Sequence, residues 1–127
     1  MNQKFCVSLE IAKEMEKAGW KKETEFSYVK NCNDVIMMIT SFELSQWDGS
    51  EIKENYSAPL SDEILEELPD IAREYEFYIF KDDRGYIVGY GDDNNVLSED
   101  DEIPFINKAL PNAFAKMWLY LRKEKLI

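Results

Sequence analysis

Four consecutive residues, Tyr90-Gly91-Asp92-Asp93, carry the most suggestive chemistry in this sequence. They spell the YGDD motif of RNA-dependent polymerases, in which a hairpin presents two carboxylates to two metal ions. The similarity to a polymerase is limited to these four residues, because a polymerase palm also needs a metal-binding carboxylate on a separate strand and a basic surface for nucleic acid. A chain of 127 residues is far too short for such an enzyme. We therefore interpret Asp92 and Asp93 as the start of a polar loop that follows a strand.

The same loop, residues 92–102, is acidic enough to raise the question of calcium binding. Counted from Asp92, an EF-hand would need a glycine at position 6 and a glutamate at position 12, but position 12 is Ile103. Counting from Asp93 places no glycine at position 6 either. The sequence thus predicts no metal site and no cofactor, and it leaves Asp92 and Asp93 as candidates for a binding surface only.

The sequence offers few residues for nucleophilic catalysis, because the chain contains no histidine. Cys6 and Cys32 lack the base that would activate a thiol, and they form no CxxC pair. We interpret both as reduced, packed thiols of a cytoplasmic protein, with a Cys6–Cys32 disulfide as the alternative. The five glycines are scattered and form no phosphate-binding loop. The residue types do not favour an enzyme.

Carboxylates spaced four residues apart follow Ser61, as in Glu63/Glu67 and Glu66/Asp70. This spacing places them together on one face of a helix. We interpret the face as solvated and, in the first functional hypothesis, as a binding surface for a basic protein.

Aromatic residues crowd the segment 75–90. Tyr78, Phe80 and Tyr86 are candidates for a second binding surface, because neighbouring side chains on a strand point to opposite faces and both faces are apolar here.

The elements that would position these residues begin with a helix capped by Ser8 and ended by Gly19. Residues 25–30 and 35–40 predict two strands of a hairpin, and the continuous apolar run of the second is typical of a central strand. Residues 41–58 predict a long loop.

The second half of the chain repeats this rhythm. A short helix starts at Ser61 and is stopped by Pro69, and a second hairpin (75–81 and 86–90) turns at Gly85. A last helix over 111–123 carries one apolar face, formed by Phe114, Met117, Trp118 and Leu121.

The order αββαββα predicts a single α+β domain over residues 1–127. We expect one antiparallel sheet of about four strands, made of the two hairpins, with the helices packed on one face.

Charge is distributed unevenly along the chain, whose net charge is −11. Residues 48–102 hold 18 of the 26 acids and only four bases, whereas the rest holds eight acids and 11 bases. Direct binding to nucleic acid or to an anionic membrane is disfavoured, because both require clustered Lys and Arg. No apolar run is long enough to span a bilayer.

Three segments share a pattern with known proteins: 58–69 (APLSDEILEELP), 86–90 (YIVGY) and 110–121 (LPNAFAKMWLYL). The chain resembles a group of small, uncharacterised proteins from phages, prophages and gut bacteria with the pattern "APTxxE…LP … LxDALAKMWLxL". It departs from that pattern at Leu60, Asn112 and Phe114. The resemblance implies an origin in a mobile genetic element and brings no known activity.

The first hypothesis is therefore a small, acidic, cytoplasmic interaction protein that binds a protein partner. The second is a small-ligand or enzyme-like module with a pocket near residues 41–58. The third is a structural component that assembles through exposed aromatic residues, which includes a homo-oligomer.

Overall fold

The computed structural model describes residues 6–72, 75–91 and 105–127. The helices are α1 (Leu9–Lys17), α2 (Ser41–Ser45), α3 (Ser61–Leu65) and α4 (Leu110–Lys123), with a 3-10 turn at Gly49–Glu51. The strands are β1 (Phe26–Asn31), β2 (Ile36–Thr40), β3 (Ile52–Ala58), β4 (Ile71–Ala72), β5 (Tyr75–Asp82), β6 (Gly85–Gly91) and β7 (Phe105–Asn107). None of the helices in these ranges is long and apolar enough to cross a membrane.

The strands form two antiparallel sheets, in the orders β2-β1-β3 and β4-β5-β6-β7. The predicted α+β class is confirmed, but the predicted single sheet of two hairpins is wrong, and so is the order αββαββα. Each hairpin recruits further strands instead of pairing with the other hairpin. β3 lies within the predicted 41–58 loop and pairs with β1, so that Tyr28 faces Tyr56.

The first helix follows from its capping residues. The Ser8 hydroxyl accepts a hydrogen bond from the Ile11 amide at 3.4 Å, and Gly19 ends the helix with a φ of +101°. Trp20 then folds back, donating its amide to the Met15 carbonyl and placing its ring 5.3 Å from that of Trp118.

The first hairpin turns where the sequence predicts, at residues 31–34. The Asn31 side chain accepts from the amides of Asn33 and Val35, and Asp34 adopts a φ of 64°. β2, however, is an edge strand of its sheet and not the central strand that its apolar run predicts.

The apolar face of α4 is buried as predicted: Phe114, Met117, Trp118 and Leu121 all lie in the core. This face contacts β6, β7, α1 and α3. Core residues come from both sheets, with Tyr28 and Ala58 from the first and Val88 and Tyr90 from the second. α4 therefore covers one face of the second sheet, and the opposite face of that sheet carries Tyr78 and Phe80 of β5.

Candidate protein-binding surface

The β5–β6 hairpin has two unlike faces. Phe77 and Tyr90 are opposite each other in register, and both pack toward α4, where the Phe77 ring lies 6.1 Å from that of Phe114. Tyr78 and Phe80 alternate with Phe77 and so point to the other face, which α4 does not cover. The local cause is the two-residue turn between Asp82 and Gly85, which fixes the register of the whole ladder.

Tyr78 and Phe80 form a stacked pair on that outer face. Their ring centroids are 6.0 Å apart and their planes differ by 22°. Gly89 lies opposite Tyr78, and a Cβ atom built on Gly89 would stand 2.6 Å from the Tyr78 hydroxyl oxygen. The absence of a side chain at Gly89 thus lets the Tyr78 ring lie flat against the strand, where burial raises the pKa of its hydroxyl. Phe80 has no such cover and is 53% exposed.

Ile79 makes this part of β5 accessible from the second face as well, because it is 43% exposed although it points toward the α4 side. One edge of the strand is also open: in the described part of the chain, β4 pairs with β5 only at Tyr75 and Glu76. We call Tyr78, Ile79 and Phe80 the hairpin surface. It offers two exposed apolar side chains and, among the described residues, an unpaired strand edge, features that occur at protein-docking sites.

Tyr86, the third aromatic candidate, lies apart from Tyr78 and Phe80. It is opposite Lys81, on the α4 side of the sheet, and the Lys81 ammonium stands 5.0 Å from its ring centroid. A cavity of about 230 Å³ separates this pair from Ser61 and Lys108. The structure therefore brings together two of the three predicted aromatic residues.

α3 ends at Leu65, four residues before Pro69, so of the acidic candidates only Glu63 lies on the helix. The predicted helical face that would carry Glu66 and Asp70 together is therefore wrong. The Glu63 carboxylate accepts hydrogen bonds from the amides of Leu60 at 2.7 Å and Glu25 at 2.9 Å, so it fixes the start of the helix to the preceding loop. Glu66 and Glu67 are exposed but both contact the Lys22 ammonium, at 3.7 Å in the case of Glu67. The Glu66 hydrogen bond is the main cause that raises the pKa of Lys22.

Asp70 connects the acidic residues after α3 to the hairpin surface. Its carbonyl accepts from the Phe77 amide at 2.9 Å, and the residue is exposed. The acids at 66, 67 and 70 therefore lead along the chain to the beginning of β5.

Asp92 and Asp93 lie outside the described residues. Within the described ranges, no three His, Cys, Asp or Glu side chains gather into a group that could hold a metal ion.

Near residues 41–58, where the sequence predicts a ligand pocket, the described residues line a narrow cavity between α1 and the first sheet. Its volume is about 30 Å³, and Lys13, Lys30, Glu54 and Tyr56 line its polar side. The Tyr56 hydroxyl donates to Glu54 at 2.9 Å, which is the main cause that lowers the pKa of that carboxyl. Small-molecule sites usually measure about 300–1,000 Å³, so this cavity suits a water molecule and no larger ligand.

The cysteines differ from each other. Cys6 is buried, its thiol donates to the Met38 sulfur at 3.5 Å, and burial is the main cause that raises its thiol pKa. Cys32 is an exposed free thiol, so the prediction of two packed thiols is wrong for it. A raised pKa keeps Cys6 in the unreactive thiol form at neutral pH.

A basic groove at one end of the molecule was not predicted as a site. The carboxyl-terminal ends of α1 and α4 meet there, and Arg122, Lys123 and Lys125 line a groove of about 540 Å³. Arg122 donates to the Ala18 carbonyl at 3.0 Å and lies over the Trp118 ring. These bases compensate the negative ends of two helices, which gives them a structural task. The signal in the sequence was the position of bases in the last turn of each helix.

Ile79 was also not predicted as a site residue; the alternation of a strand only places it on the same face as Phe77. Comparison with known proteins adds no candidate: no family model, no curated protein and no solved structure matches this chain.

Proposed function

We propose that this protein is an interaction module that binds a protein partner through the hairpin surface. One observation carries the proposal: Phe80 and Ile79 are both exposed, on opposite faces of a strand that has one open edge among the described residues. Large apolar side chains that are exposed at neighbouring positions of a strand are unfavourable in water, and a partner that covers them removes this cost in free energy.

The energetic contribution of the surface is that of a small hot spot. Covering the exposed part of a phenylalanine is worth roughly 1–2 kcal/mol at about 25 cal/mol per Å² of apolar area. Aromatic residues dominate the energy of protein interfaces, and a rigid anchor loses little entropy on binding. The Tyr78–Phe80 stack holds Phe80 in one orientation, so this entropy cost is already met in the free protein.

The acidic residues that follow α3 contribute to the rate of association in this proposal. Glu66, Glu67 and Asp70 are exposed and lie next to the start of β5 in the chain. Negative charge at this position would steer a partner with a basic surface toward the hairpin, an effect that raises the association rate more than the final affinity. A nucleic acid would be repelled by the same charges.

The proposal also extends to the origin of the protein and its compartment. The sequence resemblance supports an origin in a phage or prophage. A reducing compartment such as the cytoplasm suits the exposed free thiol of Cys32.

The test compares variants of matched chemistry in a capture experiment with lysate of the source organism. Phe80→Ala removes the anchor, and Phe42→Ala removes a ring of the same size that is even more exposed, on α2. We expect Phe80→Ala to lose a captured protein that the original chain and Phe42→Ala both retain.

The charge contribution is tested by the triple variant Glu66→Gln, Glu67→Gln, Asp70→Asn. We expect slower capture at low salt and little difference once salt screens charges over about 8–10 Å. Thermal unfolding confirms that each variant is folded. A captured set that is the same for Phe80→Ala and the original chain would overturn the proposed surface.

A further inference from the structure

The outer edge of β2 is the most unusual feature that the protein-binding proposal does not use. β2 is the last strand of its sheet, and in the described part of the chain it pairs only with β1. Edge strands of monomeric proteins are commonly protected by a lysine, a proline, a bulge or very short length. The run from Val35 to Phe42 contains no charged residue and no proline, although 32% of the chain is charged.

The hydrogen-bond register shows which backbone groups point off this edge. The Asn31 amide donates to the Val35 carbonyl, and the Ser41 amide donates to the Glu25 carbonyl. Odd-numbered residues of β2 therefore bond inward to β1. The amide and carbonyl groups of the even-numbered residues, Ile36 and Met38, together with the Thr40 amide, point away from the sheet.

This pattern is self-complementary. If two β2 strands meet antiparallel with a two-fold axis at Met38, each Met38 exchanges two hydrogen bonds with its counterpart. Ile36 of one copy then lies opposite Thr40 of the other. The backbone groups that point away from each sheet face one another in this pair as well. We propose that two copies of this chain associate through β2 into one continuous six-stranded sheet, β3-β1-β2-β2-β1-β3.

The exposed side chains favour this antiparallel arrangement. Val35 is 51% and Ile36 is 49% exposed at one end of the strand, and Phe42 is 75% exposed just beyond the other end. A two-fold axis at Met38 brings Val35 and Ile36 of each copy toward Phe42 of the other. One symmetric contact thereby covers three exposed apolar residues on each copy, which is how an isologous interface is built.

Charge also favours a second copy as the occupant of this edge. Two molecules of net charge −11 repel each other, so they can pair closely only through an uncharged part of their surfaces. The nearest acid at the turn, Asp34, is balanced by Lys53 at 2.7 Å and Lys30 at 3.9 Å. β2 is thus a neutral strip on a strongly acidic protein.

The size of the contact sets the concentration range for a test. A seam of five residues with its flanking side chains lies at the small end of protein interfaces, below about 1,200 Å², where association is weak. We therefore expect a monomer–dimer equilibrium that is visible between low-micromolar and near-millimolar concentration.

Sedimentation velocity over that range tests the proposal with three variants. Ile36→Lys places a charge on the edge, and Met38→Pro removes the outward amide at the two-fold axis without touching an inward bond to β1. Leu65→Lys, at an apolar residue of α3 that is 43% exposed, is the matched control. We expect the original chain and Leu65→Lys to dimerise and the two β2 variants to remain monomeric, each with a cooperative melting curve.

Amide hydrogen exchange gives a second readout that does not depend on any variant. In the dimer the amides of Ile36, Met38 and Thr40 should become at least tenfold slower to exchange as concentration rises. The amides of Met37 and Ile39, already bonded to β1, should not change in the same way. A chain that stays monomeric throughout, as it would if the edge accepts a strand of another protein, overturns the proposal, and so does a dimer that survives Ile36→Lys.

Discussion

Replacing Gly89 by alanine is the most direct test of how the hairpin surface is built. The Cβ atom of the new residue would stand 2.6 Å from the Tyr78 hydroxyl oxygen and 2.7 Å from the ring carbon that carries it. Real Cβ contacts are rarely shorter than 3.4 Å, so the ring must move by about 1 Å. Overpacking of this kind costs about 1–3 kcal/mol.

A double-mutant cycle separates this clash from every other effect of the alanine. The backbone of Gly89 is not left-handed, so alanine fits there once the Tyr78 ring is gone. In the Tyr78→Ala background we expect Gly89→Ala to stabilise the protein by about 0.4–1 kcal/mol, because it reduces the entropy of the unfolded chain. The effect of one methyl group therefore changes sign with the residue at position 78.

Urea unfolding followed by tryptophan fluorescence measures all four corners of the cycle, since Trp20 and Trp118 are both in the core. Gly49→Ala is the control, because its Cβ would meet nothing within 4 Å. A loss of stability from Gly89→Ala that is the same in the original chain and in the Tyr78→Ala background would refute the packing of the ring over Gly89.

Three further predictions concern the core and the helix ends. Trp118→Ala should lower the free energy of unfolding by about 3–5 kcal/mol, because it empties a buried site against Trp20; an unchanged melting curve would show that the α4 face is not the core. Burial is the main cause that raises the pKa values of the Tyr28 and Tyr90 hydroxyls above their ordinary value near 10. These hydroxyls therefore lose their protons at a lower pH in the unfolded chain than in the folded one. Their contribution to the free energy of unfolding should be fully present below about pH 10 and be lost as the pH rises above it. Replacing both residues by Phe should flatten this pH dependence in unfolding experiments. Lys125→Gly should stabilise the end of α4 by about 1 kcal/mol, since Lys125 has a φ of 59°. Lys116→Gly, at an exposed position in the middle of the helix, should destabilise it by a similar amount.

Elements with local signals were predictable from the sequence. Ser8 and Gly19 bound α1, the turn residues 31–34 and Gly85 place both hairpins, and the apolar spacing of α4 identifies the helix that packs on the second sheet. In each case the residues that specify the element lie within a few positions of one another, so a single sequence contains the whole pattern.

β3 was not predicted because a charged residue interrupts its alternation of apolar and polar side chains. Ile52, Tyr56 and Ala58 alternate as a strand should, but Glu54 occupies an inward position between them, where it bonds to Tyr56 and Lys30. Its pairing with β1 joins segments far apart in the chain. Without β3, the sequence could only join the two hairpins to each other, which produced the wrong single sheet.

Tyr86 shows that one further step from the sequence was possible. A two-residue turn between Asp82 and Gly85 pairs Tyr78 with Gly89 and Lys81 with Tyr86. That register alone separates Tyr86 from Tyr78 and Phe80, whose side chains point to the opposite face. The exposure of Ile79 was beyond reach, because it depends on how far α4 extends over the sheet.

The apolar run of β2 leads to the sharpest contrast between the two proposed surfaces. Such a run is typical of a central strand, yet the strand is at an edge, and pairing with a second copy would make it central. Salt then acts in opposite directions. Screening weakens the repulsion between two chains of net charge −11 and should strengthen pairing through β2, whereas it removes the attraction of Glu66, Glu67 and Asp70 for a basic partner. A dimer that dissociates as salt rises would therefore have been held by charged residues and not by this neutral strand.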